Sequence, residues 1–395
     1  MEDALELGKK ISRRNLLKIG GASVIGLKLG FGEKKTKAEK DEKLPSEFWG
    51  KLVNSDNPRD ATRSVFFFAG PDNPDSKLIN LTPGIEWTQE NIPKIFDDMK
   101  DAGINSIDLS WWGKNEEYKK WAPTESSEEV TMQVFDEAEK RKMLVAPVIE
   151  VSPDFEFWKE FPQDTSKLED RIQYLLENYG QKEAWEKMFD RNGEVRYVIK
   201  LIETIHGEST DSDKFANGFD VVANKMFKKT GLKIGFVIDP TPLPADGSFE
   251  GSSPDSLKKT KSILAINPYN IFSDGQTEEE RIKNAQKILS FWHDSGIPLI
   301  VPLIVGFDDT HFRSPGQKYG YSNNWLVEIS RLAREYQTAG VRFDNWNAVT
   351  EGSAVVPTEE KGAEYYEFAK NLLSEPEFNP DNNMHKLFMP QITRE

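Results

Sequence analysis

The sequence predicts an α/β fold, a single-domain (β/α)8 TIM barrel preceded by an N-terminal export signal. Three observations carry that prediction. Apolar, β-branched runs alternate with helical patterns along most of the 395 residues, as expected of a parallel sheet whose strands are buried on both faces. Several helical patterns end in Gly shortly before the next apolar run, at Gly103, Gly231, Gly296 and Gly340, where the left-handed C′ position suits glycine. The strand-to-helix joints are long on one side only, at 151–166, 205–214, 240–261, 307–321 and 346–361. In a (β/α)8 barrel these joints build the active face.

The eight candidate strands are Val65–Ala69, Ser106–Ser110, Met143–Glu150, Arg196–Glu203, Lys233–Asp239, Ile263–Asn267, Pro298–Gly306 and Val341–Asn345. Between them the apolar period is helical: Ile92, Ile95, Phe96 and Met99 share one face, and Ile282, Ala285 and Leu289 share another. Thr277-Glu278-Glu279-Glu280 has the form of a capping box opening the second of these helices.

The N-terminus reads as a signal. Arg13-Arg14 precede Leu16-Leu17-Lys18 in the manner of a twin-arginine export signal. The Gly-rich stretch 19–31 is too short and interrupted to span a bilayer, which needs about 20 apolar residues. The expected organisation is a signal segment at 1–33, a charged linker at 34–45, the barrel at 46–375 and a tail at 376–395. The expected location is periplasmic or extracellular, with no stable membrane insertion once the signal is removed.

Composition narrows the chemistry. The chain has no cysteine, which excludes disulfides and thiolate metal sites. Its four histidines, His206, His293, His311 and His385, include no i,i+4 pair, so neither a metal nor another cofactor is expected. A net charge of −15 disfavours nucleic acid as a partner. No G-x-G-x-x-G turn or P-loop follows any strand. Oligomeric state is not legible.

Polar residues gather where the strands should end. Carboxylates fall at Glu150, Glu203, Asp239, Asp308 and Asp344, with Glu351 in the loop beyond strand eight. Buried carboxylates are costly unless they serve a purpose, and glycosidic cleavage needs two of them. Trp111, Trp112, Tyr269 and Trp346 offer flat apolar faces for sugar C–H bonds, and Asn267, Asn345 and Asp308 offer hydrogen bonds to hydroxyls. Asp308 could equally be structural; His311 is a weaker candidate for substrate contact.

Four stretches, in order, carry a family resemblance: Ala102-Gly103-Ile104 through Ser110-Trp111-Trp112-Gly113; Tyr179-Gly180, then Asn192-Gly193 and the strand to Glu203; Val305-Gly306-Phe307-Asp308-Asp309; and Phe343-Asp344-Asn345-Trp346 with Glu351-Gly352 and Val356-Pro357. Together they resemble glycoside hydrolase family 99 and related exported glycosidase domains. The resemblance implies a metal-independent, endo-acting retaining α-mannosidase with two catalytic glutamates in the strand-eight stretch. The sequence departs from that pattern where Asn345 stands in place of the first glutamate, and four residues separate Trp346 from Glu351. Only Glu351 carries over, as acid/base, which leaves its partner among Asp344, Glu150, Glu203 and Asp239. The expectation is an exported hydrolase of O-glycosidic bonds in a poly- or oligosaccharide. The alternative is a glycan-binding barrel that has lost one carboxylate.

Overall fold

A computed structural model describes residues 48–54, 60–68, 91–111, 113, 127–149, 160–204, 212–240, 253–269, 271–273, 275–310, 314–348, 351–375 and 378. All lie in one compact unit, Leu44–Glu395. The signal segment, Trp112, Glu150, His206, His311, His385 and the 379–395 tail lie outside the described residues.

The strands, in chain order, are β1 (Thr62–Phe68), β2 (Ser106–Trp111), β3 (Leu144–Ile149), β4 (Lys187–Phe189), β5 (Val195–Thr204), β6 (Ile234–Pro240), β7 (Ile263–Ile266), β8 (Ile300–Leu303), β9 (Phe307–Asp308), β10 (Lys318–Tyr319) and β11 (Gly340–Phe343). Eight of them form a parallel sheet in the order β7-β6-β5-β3-β2-β1-β11-β8. The seam between β7 and β8 is joined by a parallel bridge, Ile266 to Leu299. There Ile266 N–H donates to the Pro298 carbonyl at 2.8 Å, and Asn267 Nδ2 donates to the Ile300 carbonyl at 3.0 Å. The expected (β/α)8 barrel is therefore observed, with each of the eight expected strands in place.

The helices are α1 (Ile92–Asp101), α2 (Ser127–Arg141), α3 (Ser166–Tyr179), α4 (Ser212–Thr230), α5 (Pro254–Lys259), α6 (Glu278–Asp294), α7 (Asn323–Tyr336) and α8 (Glu364–Leu373). The buried face of α1 is Ile92, Ile95, Phe96 and Met99, the set expected from the period. The Thr277–Glu280 capping box forms in both directions. At Gly340, which opens β11 with φ +142°, a Cβ would lie 1.9 Å from the Thr62 carbonyl oxygen. Only glycine lets β11 approach β1 there.

Three elements were not foreseen. Helix α5 lies inside the expected joint at 240–261. The strand β4 pairs antiparallel with β5 and with Leu52, and the short ribbon β9–β10 follows β8. Residues before β4 also wedge in beside β3, with Glu186 N–H donating to Val145 O at 2.8 Å and Val198 N–H to Glu186 O at 3.0 Å. Along each strand alternate residues face the helices and the barrel interior. Val65, Phe67, Ile107, Leu109 and Trp111 join the helix-facing core. Leu52, Leu144, Ala146, Met188 and Val198 belong to a separate interior cluster.

Candidate active site

The C-terminal ends of β6, β7 and β11 converge on one arrangement. Arg342 and Asp344 are two residues apart and therefore share a face; Arg342 Nη2 donates to Asp344 Oδ1 at 2.8 Å, and both side chains are buried. The Arg342 guanidinium also lies 5.2 Å from the Tyr269 ring centroid. The backbone N–H of Tyr269 donates to Asp239 Oδ1 at 2.8 Å. The ring of Tyr269, half-buried, packs on Phe66, Val148 and Ile202, which roof the interior. Asp239, Tyr269, Arg342 and Asp344 thus form one linked group. Burial pushes the Asp344 carboxyl above the usual aspartate range, while Arg342 pulls against it.

Glu351 reaches the same region through the loop after β11. Its carbonyl oxygen accepts from Asp308 N–H at 2.7 Å, and the neighbouring Gly352 carbonyl accepts from Tyr321 OH at 3.2 Å. The ribbon β9–β10 therefore lies against the Glu351 loop. Tyr319, on that ribbon, feels the charges of Asp344, Glu351 and Asp309; burial chiefly raises its phenol pKa, and Arg281 opposes. One buried tyrosine thus lies within electrostatic reach of both Asp344 and Glu351. Its hydroxyl has no hydrogen-bond partner, nor do Asn345 Oδ1, Trp346 Nε1 and Arg342 Nε. Buried polar atoms are normally partnered, so this end of β11 carries unspent hydrogen-bonding capacity.

Several expected substrate contacts have other duties. Trp111 is 1 % exposed and stacks on Tyr174 of α3 at 6.0 Å; the β2 alternation turns it toward the helices and away from the mouth. Trp346, also 1 % exposed, meets Tyr366 of α8 edge-on at 6.2 Å. Neither ring presents an open face at the barrel mouth in this structure. Asn267 ties the β7–β8 seam. Asp308 is held by Lys318 at 2.7 Å and by the Thr310 hydroxyl at 2.6 Å. Burial raises its carboxyl, but Lys318 and Thr310 outweigh that and hold it below the usual range. It is a structural anchor of the ribbon. Asn345 Nδ2 donates to Ser353 Oγ at 2.9 Å, and Val355 N–H to Asn345 O at 3.1 Å, so Asn345 fastens the base of the Glu351 loop. Glu203 lies near the end of β5, but its side chain, like Glu150, is outside the described residues. His293 is on α6, beside Tyr336. Among the described residues no cluster of three or more His, Asp or Glu could hold a metal ion.

Arg342 and Tyr319 were missed by sequence reasoning. The i,i+2 spacing of Arg342 and Asp344 on a strand was a usable signal for the first; the ribbon that carries Tyr319 had none.

No protein-family model and no curated protein matches this chain. Among solved structures, the barrel is similar to a GH99 endo-alpha-mannosidase from Bacteroides thetaiotaomicron, with a TM-score of 0.56 and 15 % identity over 78 % of this chain and 95 % of that one. It is similar to a glycoside hydrolase-like protein with TM-score 0.58 and 10 % identity, over 81 % and 94 %. A third is the hyperthermostable endo-1,4-beta-D-mannanase from Thermotoga petrophila RKU-1, with TM-score 0.52 and 9 % identity over 79 % and 99 %. At these identities the likeness establishes the shared fold, a (β/α)8 barrel of the kind found in glycoside hydrolases.

Proposed function

We propose that this protein hydrolyses O-glycosidic bonds in a poly- or oligosaccharide, with Glu351 as acid/base and Asp344 as the second carboxylate. The observation that carries this reading is the linked group Asp239–Tyr269–Arg342–Asp344 beside the Glu351 loop. Asp344 at the end of β11 and Glu351 in the following loop supply two carboxylates, Asp239 holds the Tyr269 backbone, and Tyr269 is a half-buried aromatic ring. Asp344 rises from the end of β11 with Arg342 bonded to it, the position for a group that assists at the anomeric carbon or activates water. Glu351, half-buried on its loop, serves as the proton donor to the leaving oxygen. Tyr269 packs against the sugar ring. The glycosidases that share the fold support the reaction class, and the Arg13-Arg14 segment supports export to the periplasm or beyond. Among the described residues no helix is long and apolar enough to cross a membrane.

The test is hydrolysis of a glycan and aryl-glycoside panel by the wild type, Glu351→Gln and Asp344→Asn. Loss of one proton-transfer group should reduce turnover by roughly 10²–10⁴-fold. Glu351→Gln should spare aryl glycosides whose leaving group needs no proton, and Asp344→Asn should spare none. Full activity in either variant removes that residue from the mechanism. A second reading, a barrel that binds glycan without cleaving it, is favoured by the structural use of Asn345. Binding across the panel with no turnover by the wild type would decide for it.

A further inference from the structure

The barrel interior below the candidate site holds a charged cluster that the proposed chemistry does not use. Asp108 from β2, Lys200 from β5 and Glu186 from the segment before β4 are 0 %, 3 % and 0 % exposed. Lys200 Nζ lies 2.6 Å from Asp108 Oδ1 and 3.9 Å from Glu186 Oε1. Ser106 Oγ donates to Glu186 Oε2. Buried apolar side chains on the same strands flank the cluster, among them Phe66, Ala146, Val148, Val198 and Ile202.

Two carboxylates share one ammonium, and the buried cations on the same faces of β5 and β11, Arg196 and Arg342, are committed to Asp190 and Asp344. The register partners of Asp108 and Lys200 on β1, β3 and β6 are Phe66, Ala146, Val148 and Val237, none of them titratable. A second full negative charge would therefore stand uncompensated in a buried apolar shell, which costs several kcal/mol. Four buried polar atoms also lack partners: Glu186 Oε1, Asp108 Oδ2, Ser64 Oγ and Thr62 Oγ1. The hydroxyls of Ser64 and Thr62 can each donate or accept, so it is the charge balance that disfavours a second ionised carboxylate here.

We propose that Glu186 is held as a neutral carboxylic acid in the folded barrel, so that folding takes up a proton at this site and the site's own contribution to stability grows on acidification. The direction of the Glu186 ionisation agrees: burial raises it most, Lys200 lowers it, and Asp108 raises it further. The linkage follows from the sign. A carboxyl whose folded pKa exceeds its unfolded value contributes fully below the unfolded pKa, and that contribution is lost as pH rises toward the folded pKa. Across that window each pH unit reduces the folding equilibrium constant by up to a factor of about ten.

The experiment is denaturant unfolding of wild type and Glu186→Gln from about pH 4 to about pH 8, in sodium, potassium and choline chloride. Glutamine imitates the neutral acid. The expected result is equal stability near the unfolded glutamate pKa of about 4.3, and a variant increasingly more stable than wild type at higher pH. Cation identity should make no difference. A variant that is less stable than wild type at every pH, or wild-type stability that rises with sodium or potassium, overturns the proposal in favour of an ionised Glu186 balanced by a bound cation. If Glu186→Gln does not fold, infrared spectra of wild type with ¹³C-carboxyl glutamate decide. An isotope-shifted protonated-carboxyl band near neutral pH supports the neutral acid, and its absence refutes it. Glutamate labelling keeps Asp344 out of that signal.

Discussion

Replacing Arg342 with methionine tests the logic of the mouth most directly. The side chain is 2 % exposed, and its guanidinium makes a 2.8 Å bond to Asp344 while facing the Tyr269 ring at 5.2 Å. Methionine fills similar volume and removes the charge. An opposite charge at this range lowers a carboxyl pKa by about 1–3 units. At an effective dielectric of ~20 and a charge separation of ~4 Å the interaction is about 4 kcal/mol, or roughly three pKa units at about 1.36 kcal/mol each. Asp344 is already raised by burial, and without Arg342 it rises further. As the group that must be ionised to assist at the anomeric carbon, it sets the acid limb of kcat/KM. Activity falls as pH drops through its pKa, so in Arg342→Met the acid limb moves to higher pH by about 1–3 units. The assay is a pH–rate profile on the best substrate of the panel, with thermal unfolding in parallel, since breaking a buried pair costs about 3–5 kcal/mol. Arg342→Lys, which keeps the charge, should leave the limb near its wild-type position. A folded Arg342→Met with an unmoved acid limb would refute the assignment of Asp344.

Two further predictions concern the fold. Gly340→Ala puts a Cβ 1.9 Å from the Thr62 carbonyl at φ +142°, so it should separate β11 from β1, destabilise by at least ~1–3 kcal/mol and lower the melting temperature. Thr277→Ala removes the hydroxyl that accepts from Glu280 N–H at 3.2 Å. It should cost about 0.5–2 kcal/mol by chemical denaturation, with activity unchanged.

Local features were legible because local physics sets them. The face of α1, the Thr277 capping box and the glycine before β2 depend on residues within one or two turns, whereas Gly340, expected to end a helix, opens β11 and is required by the approach of Thr62. The eight strands were legible as apolar runs, although β8 and β11 prove shorter than their runs. Pro298 and Pro302 give no N–H to the ladder around β8, and beyond β11 single backbone bonds, Asp344 N–H to Leu303 O and Trp346 N–H to Phe66 O, continue the pairing.

What the sequence by itself determined is a barrel with its long loops on one face and carboxylates near its strand ends. The tertiary structure decided which of those groups share a site. In a parallel barrel both faces of a strand are buried, so period-two alternation does not say which set of side chains looks inward. That is why Trp111 read as a sugar platform and proves to be helix-facing core. The wedge that inserts Glu186 between β3 and β5, and the ribbon that lays Tyr319 beside the Glu351 loop, join residues far apart in the chain. Such contacts are set by barrel closure and by the charges it encloses, and only folding brings them together.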